Sequence, residues 1–203
     1  MDKFKKDKYQ VIKKAISCEL ANFIFNYFLL KRDAVKYMYS NNLIEENSLF
    51  GTWKDPQVPN VYSHYADFVT ETLLIKVMHI IKQQTNLNLI PTYSYARVYE
   101  KGSILKRHKD RPSCEISATL NLGGDPWPIF IDPTGSNNAP AGIKVDLEPG
   151  DMLIYLGCEL EHWREEFTSN ICAQVFLHYN DSNGKYKFSK KFDGRPMLGV
   201  HNL

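Results

Sequence analysis

Residues 92–124 read TYSYARVYEKGSILKRHKDRPSCEISATLNLGG and carry the clearest structural pattern in the chain. Three short runs rich in β-branched and aromatic residues are separated here by turn residues: Gly102, Pro112, and the pair Gly123 and Gly124. Short runs separated at regular intervals by turn residues are typical of the strands of a β-sandwich or barrel. We therefore expect strands over 92–100, 104–108 and 115–122.

The same pattern continues towards the C-terminus. Further strands are predicted at 129–132, 143–147, 152–156, 161–163 and 171–179. Residues 132–142 are rich in Pro, Gly, Ser and Asn and predict an inserted surface loop. We expect a single domain over 1–203, with a helical support region at 1–90, a β core at 91–180 and a polar tail at 181–203. For the tail, only loop and one edge strand are predicted.

The first half of the chain has helical periodicity. After a short strand over 10–16, Ser17 is a suitable N-cap for a helix that extends to about Tyr39. A second helix over 65–84 carries a broad apolar stripe that includes Leu73 and Val77, so it is expected to pack against a sheet. The predicted fold class is mainly β with flanking N-terminal helices (α+β).

Composition sets broad limits on function. The 203 residues are 43% hydrophobic and 24% charged, which is ordinary for a soluble globular domain. A net charge of +2, without a clear aromatic stacking platform, argues against a protein that binds nucleic acid. The apolar stretch 21–30 is too short to span a bilayer, and the Lys-rich start precedes no signal-type apolar segment.

The four cysteines are Cys18, Cys114, Cys158 and Cys172. No two of them have the C-x-x-C spacing of structural zinc sites. We interpret them as small buried apolar side chains in a protein with reduced thiols, and therefore expect a cytoplasmic location without membrane partners.

His108 and Asp110 are the main candidates for chemistry. Residues two apart in a strand point to the same face, so both side chains can reach one metal ion. His162, shortly after a predicted strand, is the best third ligand. Two His and one carboxylate form the facial triad of non-haem Fe(II) oxygenases. One H-x-D is expected by chance in roughly a third of such sequences, and the ordinary interpretation is an exposed turn.

The context of this motif carries a family resemblance. Residues 95–110 resemble the entry to the metal site of the 2-oxoglutarate/Fe(II) dioxygenases, most closely their prolyl 4-hydroxylase-like branch. There a strand ending in Tyr, a Gly turn and an H-x-D motif follow one another, as Tyr99, Gly102 and His108 do here. Residues 116–123, 148–155 and 173–179 are similar to later core strands of that family.

The resemblance implies a double-stranded β-helix, or jelly-roll, with metal ligands His108, Asp110 and His162 at its open end. It also implies Fe(II), 2-oxoglutarate and O2 as reactants, with release of succinate and CO2 and hydroxylation of a further substrate. Related halogenases have a small residue in place of the acid, so Asp110 favours hydroxylation. A protein or peptide side chain and a small metabolite are both open as the primary substrate.

The sequence departs from the family at one point. A Lys or Arg usually follows the distal His by nine to ten residues and pairs with the far carboxylate of 2-oxoglutarate, but Ile171 and Cys172 occupy those positions. A buried dianion without a cationic partner is costly, so either the anchor has moved or the cosubstrate differs. Arg97, Arg111 and Arg164 are the alternatives, although an Arg is ordinarily a surface residue.

The remaining candidates concern the surroundings of the metal. The predicted cosubstrate-binding residues are Tyr99, Arg97, Arg111, Gln174 and Asn121, and the predicted substrate-binding residues are Trp163 and Arg164. A basic cluster flanks the motif and is either a solvated rim or an attractant for anions; it comprises Lys101, Lys106, Arg107, Lys109 and Arg111. Two other functions stay open: a cupin-like jelly-roll binding protein, and a non-oxygenase metalloenzyme such as an isomerase.

Overall fold

A computed structural model describes residues 3–46, 49–136, 141–187 and 191–201. The helices are α1 (Lys3–Asp7), α2 (Cys18–Ser40) and α3 (Phe68–Thr85), with 3-10 turns at Pro112–Cys114 and Lys191–Gly194. The strands are β1 (Tyr9–Ile12), β2 (Tyr62–Tyr65), β3 (Leu89–Glu100), β4 (Leu105–His108), β5 (Ile116–Gly124), β6 (Ile129–Asp132), β7 (Ile143–Val145), β8 (Met152–Leu156), β9 (Glu161–Arg164) and β10 (Ile171–Asp181). No helix among these residues is both long and apolar enough to cross a membrane.

Both long helices begin at a side-chain cap. Ser17 Oγ accepts a hydrogen bond from the Leu20 N–H at 3.2 Å, which confirms the predicted start of α2. Asp67 caps α3 by accepting from the Val69 N–H at 2.8 Å. The helix therefore begins at Phe68, three residues after the predicted Tyr65, and ends where Asn86 adopts a left-handed conformation.

The strands form two antiparallel sheets. The larger has the order β1-β8-β5-β10-β3-β2 and the smaller the order β4-β9-β6-β7. Sequence neighbours are often not sheet neighbours, so the chain passes repeatedly between the two sheets. This arrangement places His108 of β4 directly opposite His162 of β9.

The apolar core has two layers. One buried cluster lies between α2, α3 and the larger sheet and includes Phe28, Leu74, Val77 and Val175. Two smaller clusters join the sheets to each other. One lies around Tyr99, and the other lies around Ile129 and Leu153. The helices thus cover the outer face of the larger sheet, as predicted, and leave its inner face for the site.

All nine predicted strands are confirmed: the eight after residue 91 have ends that differ by up to three residues, and the strand predicted over 10–16 is the shorter β1, Tyr9–Ile12. The sequence pattern does not predict α1 or β2, which have only five and four residues. The predicted loop ends where β7 begins at Ile143, and its residues 137–140 lie outside the described part of the chain. In the tail, β10 continues to Asp181, and a 3-10 turn but no strand follows among the described residues of 182–201.

The tail is tied to α3 by a buried ion pair. Arg195 Nη2 lies 2.8 Å from Glu71 Oε1, and both side chains are almost fully buried. The same guanidinium donates to the Thr92 carbonyl at 3.0 Å. Since both charges and their hydrogen bonds are matched, the pair fixes the tail against the start of β3.

The interpretation of the cysteines holds for two of them. Cys114 and Cys172 are buried, whereas Cys158 is partly buried and Cys18 is exposed. Cys18 is the first residue of α2 and follows the Ser17 cap, so its side chain lies at the exposed start of the helix rather than on its apolar face. The prediction of a buried side chain was wrong for Cys18.

Candidate metal centre

His108, Asp110 and His162 converge at one end of the space between the sheets. The two imidazole rings lie 4.2 Å apart between centroids because β4 and β9 pair at these residues. Asp110 is held beside them by its backbone, whose N–H donates to the Gly157 carbonyl at 2.8 Å. The three side chains predicted to be metal ligands are therefore neighbours in space.

The ligand atoms have the spacing of a metal site. Asp110 Oδ1 lies 3.7 Å from His108 Nε2 and 3.5 Å from His162 Nε2. Ligands about 2.0–2.2 Å from an ion and at right angles to each other are about 3 Å apart. The observed separations are slightly longer, so a small inward movement of the side chains completes the coordination.

Hydrogen bonds preset the tautomer of both imidazoles. His108 Nδ1 lies 2.7 Å from the Lys106 carbonyl, and His162 Nδ1 lies 3.1 Å from the Leu160 carbonyl. A carbonyl only accepts, so each Nδ1 carries a proton, and Nε2 is the nitrogen that can bind a metal when the imidazole is neutral. Metal-binding histidines typically donate their second nitrogen in this way.

The protonation states also suit a cation. Burial opposes ionisation of Asp110, but the adjacent His162 and the Ser117 hydroxyl hold the pKa of the carboxyl well below its usual range. Burial, followed by the proximity of His162, lowers the pKa of His108. Near neutral pH the site is thus one carboxylate beside a neutral imidazole, which is the donor set that a divalent metal requires.

A cavity of about 240 Å³ opens on this group. Its wall is mostly aromatic and polar, and it includes the ion pair of Asp55 with Arg97. The lining residues are Asp55, Gln57, Tyr65, Tyr93, Tyr95, Arg97, Leu105, His108, Asp110, Arg111, Tyr155, His162, Phe176 and His178. The metal ligands therefore have an open side on which small molecules can bind.

Arg97 lies in the cavity wall but already has an anionic partner. Its Nε and Nη2 lie 2.8 and 2.7 Å from Asp55 Oδ2. Tyr95 donates to the same oxygen at 2.8 Å, and Arg97 Nη1 donates to the Tyr99 hydroxyl at 3.4 Å. Tyr99 itself is fully buried and does not line the cavity. The charge of Arg97 is thus compensated within the protein.

Arg111 lies at the cavity mouth and is also paired. It donates to both carboxylate oxygens of Asp193 at 2.7 Å and covers the ring of Tyr93 at 4.6 Å. Asp193 belongs to the C-terminal tail, where it and Phe192 adopt left-handed backbone conformations with φ of 57° and 51°. The tail therefore forms part of the cavity mouth, a role that its sequence does not predict.

Arg164 differs from the other two arginines. It is only 1% exposed, and no acidic side chain pairs with it among the described residues. Its Nη1 donates to the Trp127 carbonyl and its guanidinium lies 5.0 Å from the Trp127 ring centroid. Nε and Nη2 have no hydrogen-bond partner in the described part of the chain. Burial lowers the pKa of Arg164, as expected for an uncompensated cation.

The other predicted binding residues make contacts with other parts of the protein. Gln174 Nε2 donates to Asn121 Oδ1 at 3.1 Å, and Asn121 Nδ2 donates to the Leu147 carbonyl. Trp163 stacks on Phe130 with ring centroids 5.6 Å apart. None of these side chains lines the cavity. Their roles in binding cosubstrate or substrate stay predictions.

The basic cluster is partly neutralised. Arg107 pairs with Asp132 at 3.0 Å and with Glu161 at 2.6 Å, and Lys109 Nζ donates to the Gly135 carbonyl at 3.2 Å. Since Arg111 pairs with Asp193, the cluster presents less free positive charge than its sequence indicates.

The sequence does not predict a site role for Asp55, Gln57 and His178, which line the cavity, or for Asp193, which pairs with Arg111 at its mouth. Of these residues, only His178 could have been found from the sequence. It is two residues after Phe176 on the predicted last strand, so both side chains face the same side of the sheet. The other three lie in loops or in the tail, where no periodicity exists. Burial lowers the pKa of His178 to about 4, so its imidazole is neutral.

No protein-family model matches this sequence, and a comparison with curated proteins gives no match either. Solved structures do match. A prolyl-4-hydroxylase from Pseudomonas putida aligns with 87% of this chain and 95% of its own, with a TM-score of 0.59 and 15% identity. The chain shares the fold of 2-oxoglutarate-dependent oxygenases.

Two further structures show the range of that fold. HygX from Streptomyces hygroscopicus, crystallised with nickel, 2-oxoglutarate and hygromycin B, aligns over 89% of this chain and 85% of its own, with a TM-score of 0.62 and 14% identity. SnoN, an alpha-ketoglutarate-dependent epimerase from nogalamycin biosynthesis, aligns over 88% and 80%, with a TM-score of 0.62 and 12% identity. At these identities the likeness concerns the fold.

Proposed function

We propose that this protein is a non-haem Fe(II)/2-oxoglutarate-dependent dioxygenase that hydroxylates a peptide side chain or a small metabolite. The observation that carries the proposal is the triad of His108, Asp110 and His162, whose donor atoms face one another with preset tautomers on the floor of a cavity. The fold supports it, since solved oxygenases of this class align with most of the chain. In this proposal the two sheets are the halves of a double-stranded β-helix.

Each ligand residue has a defined task. His108 and His162 supply neutral nitrogen donors, and Asp110 supplies the negative charge that offsets the cation. Bound there, Fe(II) with 2-oxoglutarate and O2 supplies the oxidising chemistry, which yields succinate, CO2 and a hydroxylated product. Because Asp110 occupies the third ligand position, no room is left there for a halide, and hydroxylation is favoured over halogenation.

Arg164 is the best candidate to anchor the far carboxylate of 2-oxoglutarate. A fully buried guanidinium without an acidic partner is costly, so the fold retains it at the expense of stability. An anionic ligand removes that cost by pairing with Nε and Nη2 as a two-pronged clamp. Arg97 and Arg111 are poorer candidates because Asp55 and Asp193 already neutralise them.

The position of Arg164 also fits the departure from the family pattern. The side chains near its charge include Cys172, Tyr99 and Tyr155, and Cys172 is where the family resemblance places a basic residue. An Arg on β9 thus supplies from the neighbouring sheet the charge that β10 lacks. Arg164 is two residues after His162 on β9, so both side chains face the same side of the strand. In the strand pairing, Arg164 is opposite Leu105, which lines the cavity. Arg164 does not itself line the cavity, so binding requires the intervening side chains to move apart.

The alternatives make different predictions about ligands. A jelly-roll binding protein needs neither metal nor 2-oxoglutarate, and a non-oxygenase metalloenzyme needs the metal alone. The epimerase among the structures of this fold shows that reactions other than hydroxylation occur on it. The four cysteines are unpaired, which fits the cytoplasmic location that we propose.

The experiment measures binding and turnover in parallel. Mn²⁺ affinity, 2-oxoglutarate affinity of the Mn²⁺-loaded protein, and succinate release with Fe(II), 2-oxoglutarate and O2 are compared for wild type, His108→Ala and Asp110→Ala. We expect the wild type to show all three and both variants to lose them. His79→Ala, on the exposed face of α3, is the matched control and should behave as wild type.

Each other outcome overturns the proposal in a distinct way. Metal binding without 2-oxoglutarate binding supports a non-oxygenase metalloenzyme. Failure to bind either supports a binding or structural protein. Binding of both that is unaffected by His108→Ala shows that the triad is not the site.

A further inference from the structure

The carboxylate of Asp110 has two oxygens with different surroundings. Oδ1 faces the Nε2 atoms of His108 and His162. Oδ2 points the other way and accepts a hydrogen bond from Ser117 Oγ at 2.7 Å. One oxygen is therefore free to bind a cation while the other is held by the protein.

Ser117 is in turn held by His178. Ser117 Oγ lies 3.0 Å from His178 Nδ1 and 3.1 Å from the Cys114 carbonyl. A hydroxyl has one proton, and its strongest acceptor here is the Asp110 carboxylate. The Nδ1–H of the neutral His178 then donates to Ser117 Oγ, and the direction of the chain from His178 through Ser117 to Asp110 is fixed.

The larger sheet sets the geometry of this chain. Ser117 on β5 and His178 on β10 are directly opposite each other in the antiparallel register. The His178 ring is packed against Tyr93 of β3 with centroids 4.5 Å apart. Three neighbouring strands thus provide a rigid support for a ligand that lies at the end of the smaller sheet.

Gly157 closes the arrangement from the remaining side. A Cβ atom at this residue would lie 2.4 Å from Asp110 Oδ2, 2.5 Å from Ser117 Oγ and 2.4 Å from the Cys114 carbonyl. Those distances are far below van der Waals contact, so only glycine fits. The Gly157 carbonyl also accepts the Asp110 N–H, so the same residue fixes the backbone and leaves room for the hydrogen-bonded carboxylate.

We propose that Ser117 and His178 are positioning residues that hold Asp110 as a one-oxygen metal ligand and aim its free oxygen at the two histidines. This inference rests on the proposed metal site and adds two residues that do not bind the metal: Ser117 bonds the non-coordinating oxygen of Asp110, and His178 acts through Ser117. Outer partners of metal ligands commonly change metal affinity by 10–100-fold when they are removed.

The test measures Mn²⁺ and Co²⁺ dissociation constants of the metal-free protein. Ser117→Ala and His178→Phe remove the donors but keep the packing, and we expect affinity to fall by about 10-fold or more in each. Ser117→Thr keeps the hydroxyl and His178→Asn keeps a donor near the Nδ1 position, so both should bind metal more tightly than the disruptive variants. The Co²⁺ absorption spectrum should change with Ser117→Ala, because the carboxylate is then free to bind through both oxygens.

Controls separate positioning from folding. Ser94→Ala removes a buried hydroxyl that bonds Thr70 on the far side of the sheet, and it should leave metal affinity unchanged. Urea denaturation of every variant reports whether the fold is intact. Wild-type affinity in folded Ser117→Ala and His178→Phe overturns the inference while the proposed function stands. Absence of metal binding in the wild type overturns both.

Discussion

The amide Nε2 of Gln57 lies 2.8 Å from Nε2 of His108, the nitrogen that faces the rest of the triad. His108 Nδ1 is committed to the Lys106 carbonyl, so Gln57 donates to the His108 lone pair. A metal ion requires the same lone pair. Gln57 and the metal therefore compete, and Gln57 must move away before His108 can coordinate.

Removing this competitor should strengthen metal binding. A typical hydrogen bond contributes about 1 kcal/mol, so we expect Gln57→Ala to lower the dissociation constant for Mn²⁺ by about 5-fold. Titration of the metal-free protein measures the effect. Gln10→Ala, which breaks the distant pair of Gln10 with Gln84, is the control and should change nothing. Equal or weaker binding in Gln57→Ala would contradict the competition.

The proposed role of Arg164 in binding 2-oxoglutarate is tested by removing its guanidinium and then placing one on β10. Arg164→Met should weaken 2-oxoglutarate binding to the Mn²⁺-loaded protein by roughly 10–100-fold, since a buried hydrogen bond to a charged group contributes about 1.5–3 kcal/mol. Adding Cys172→Arg to Arg164→Met returns a guanidinium to the same region and should recover most of the affinity. Equilibrium dialysis without O2 measures both. If Arg164→Met binds 2-oxoglutarate as tightly as wild type, the anchor lies elsewhere.

Arg97 and Arg164 should have opposite effects on stability. Arg97→Met leaves Asp55 buried without its cation, so we expect a loss of about 3–5 kcal/mol in the free energy of unfolding. Arg164→Met removes an uncompensated charge and should leave the ligand-free protein as stable as wild type or more so. Urea denaturation of both variants without ligand provides the comparison. Similar destabilisation by both would show that the charge of Arg164 is satisfied by the protein.

Much of the fold follows from local sequence. Strand alternation and turn residues located all eight β-segments of the core, and Ser17 marked the start of α2. The short strand β2 was not predicted, because its four residues form a strand through pairing with β3 and have no pattern of their own. Its neighbour Asp67 caps α3 through its side chain, which moved the start of that helix beyond the predicted position.

The site was predictable where spacing determines geometry. His108 and Asp110 share a strand end, and His162 follows another strand, so their meeting follows from a jelly-roll topology. The state of each arginine was not predictable. Arg97 pairs with Asp55 and Arg111 pairs with Asp193, and both aspartates lie in segments that are distant in sequence from the arginines. Arg164 has no such partner among the described residues. Partners of that kind leave no periodic signal in the chain.

The cap of α3 predicts a specific dependence of stability on pH. The Asp67 carboxylate accepts a hydrogen bond from the Tyr27 hydroxyl, pairs with Lys31 and lies 3.1 Å from His64 Nδ1. Although burial opposes ionisation, His64 and Lys31 hold the pKa of this carboxyl well below its usual range. The unfolded chain therefore binds the proton first, and the contribution of Asp67 is complete near neutral pH and is lost as pH falls below about 4. Asp67→Asn retains the cap but not the charge. In urea denaturation, the stability gap between wild type and Asp67→Asn should be about 2 kcal/mol near pH 7 and shrink towards about pH 3. A gap that stays constant across that range would show that the ionised carboxyl contributes nothing beyond the cap.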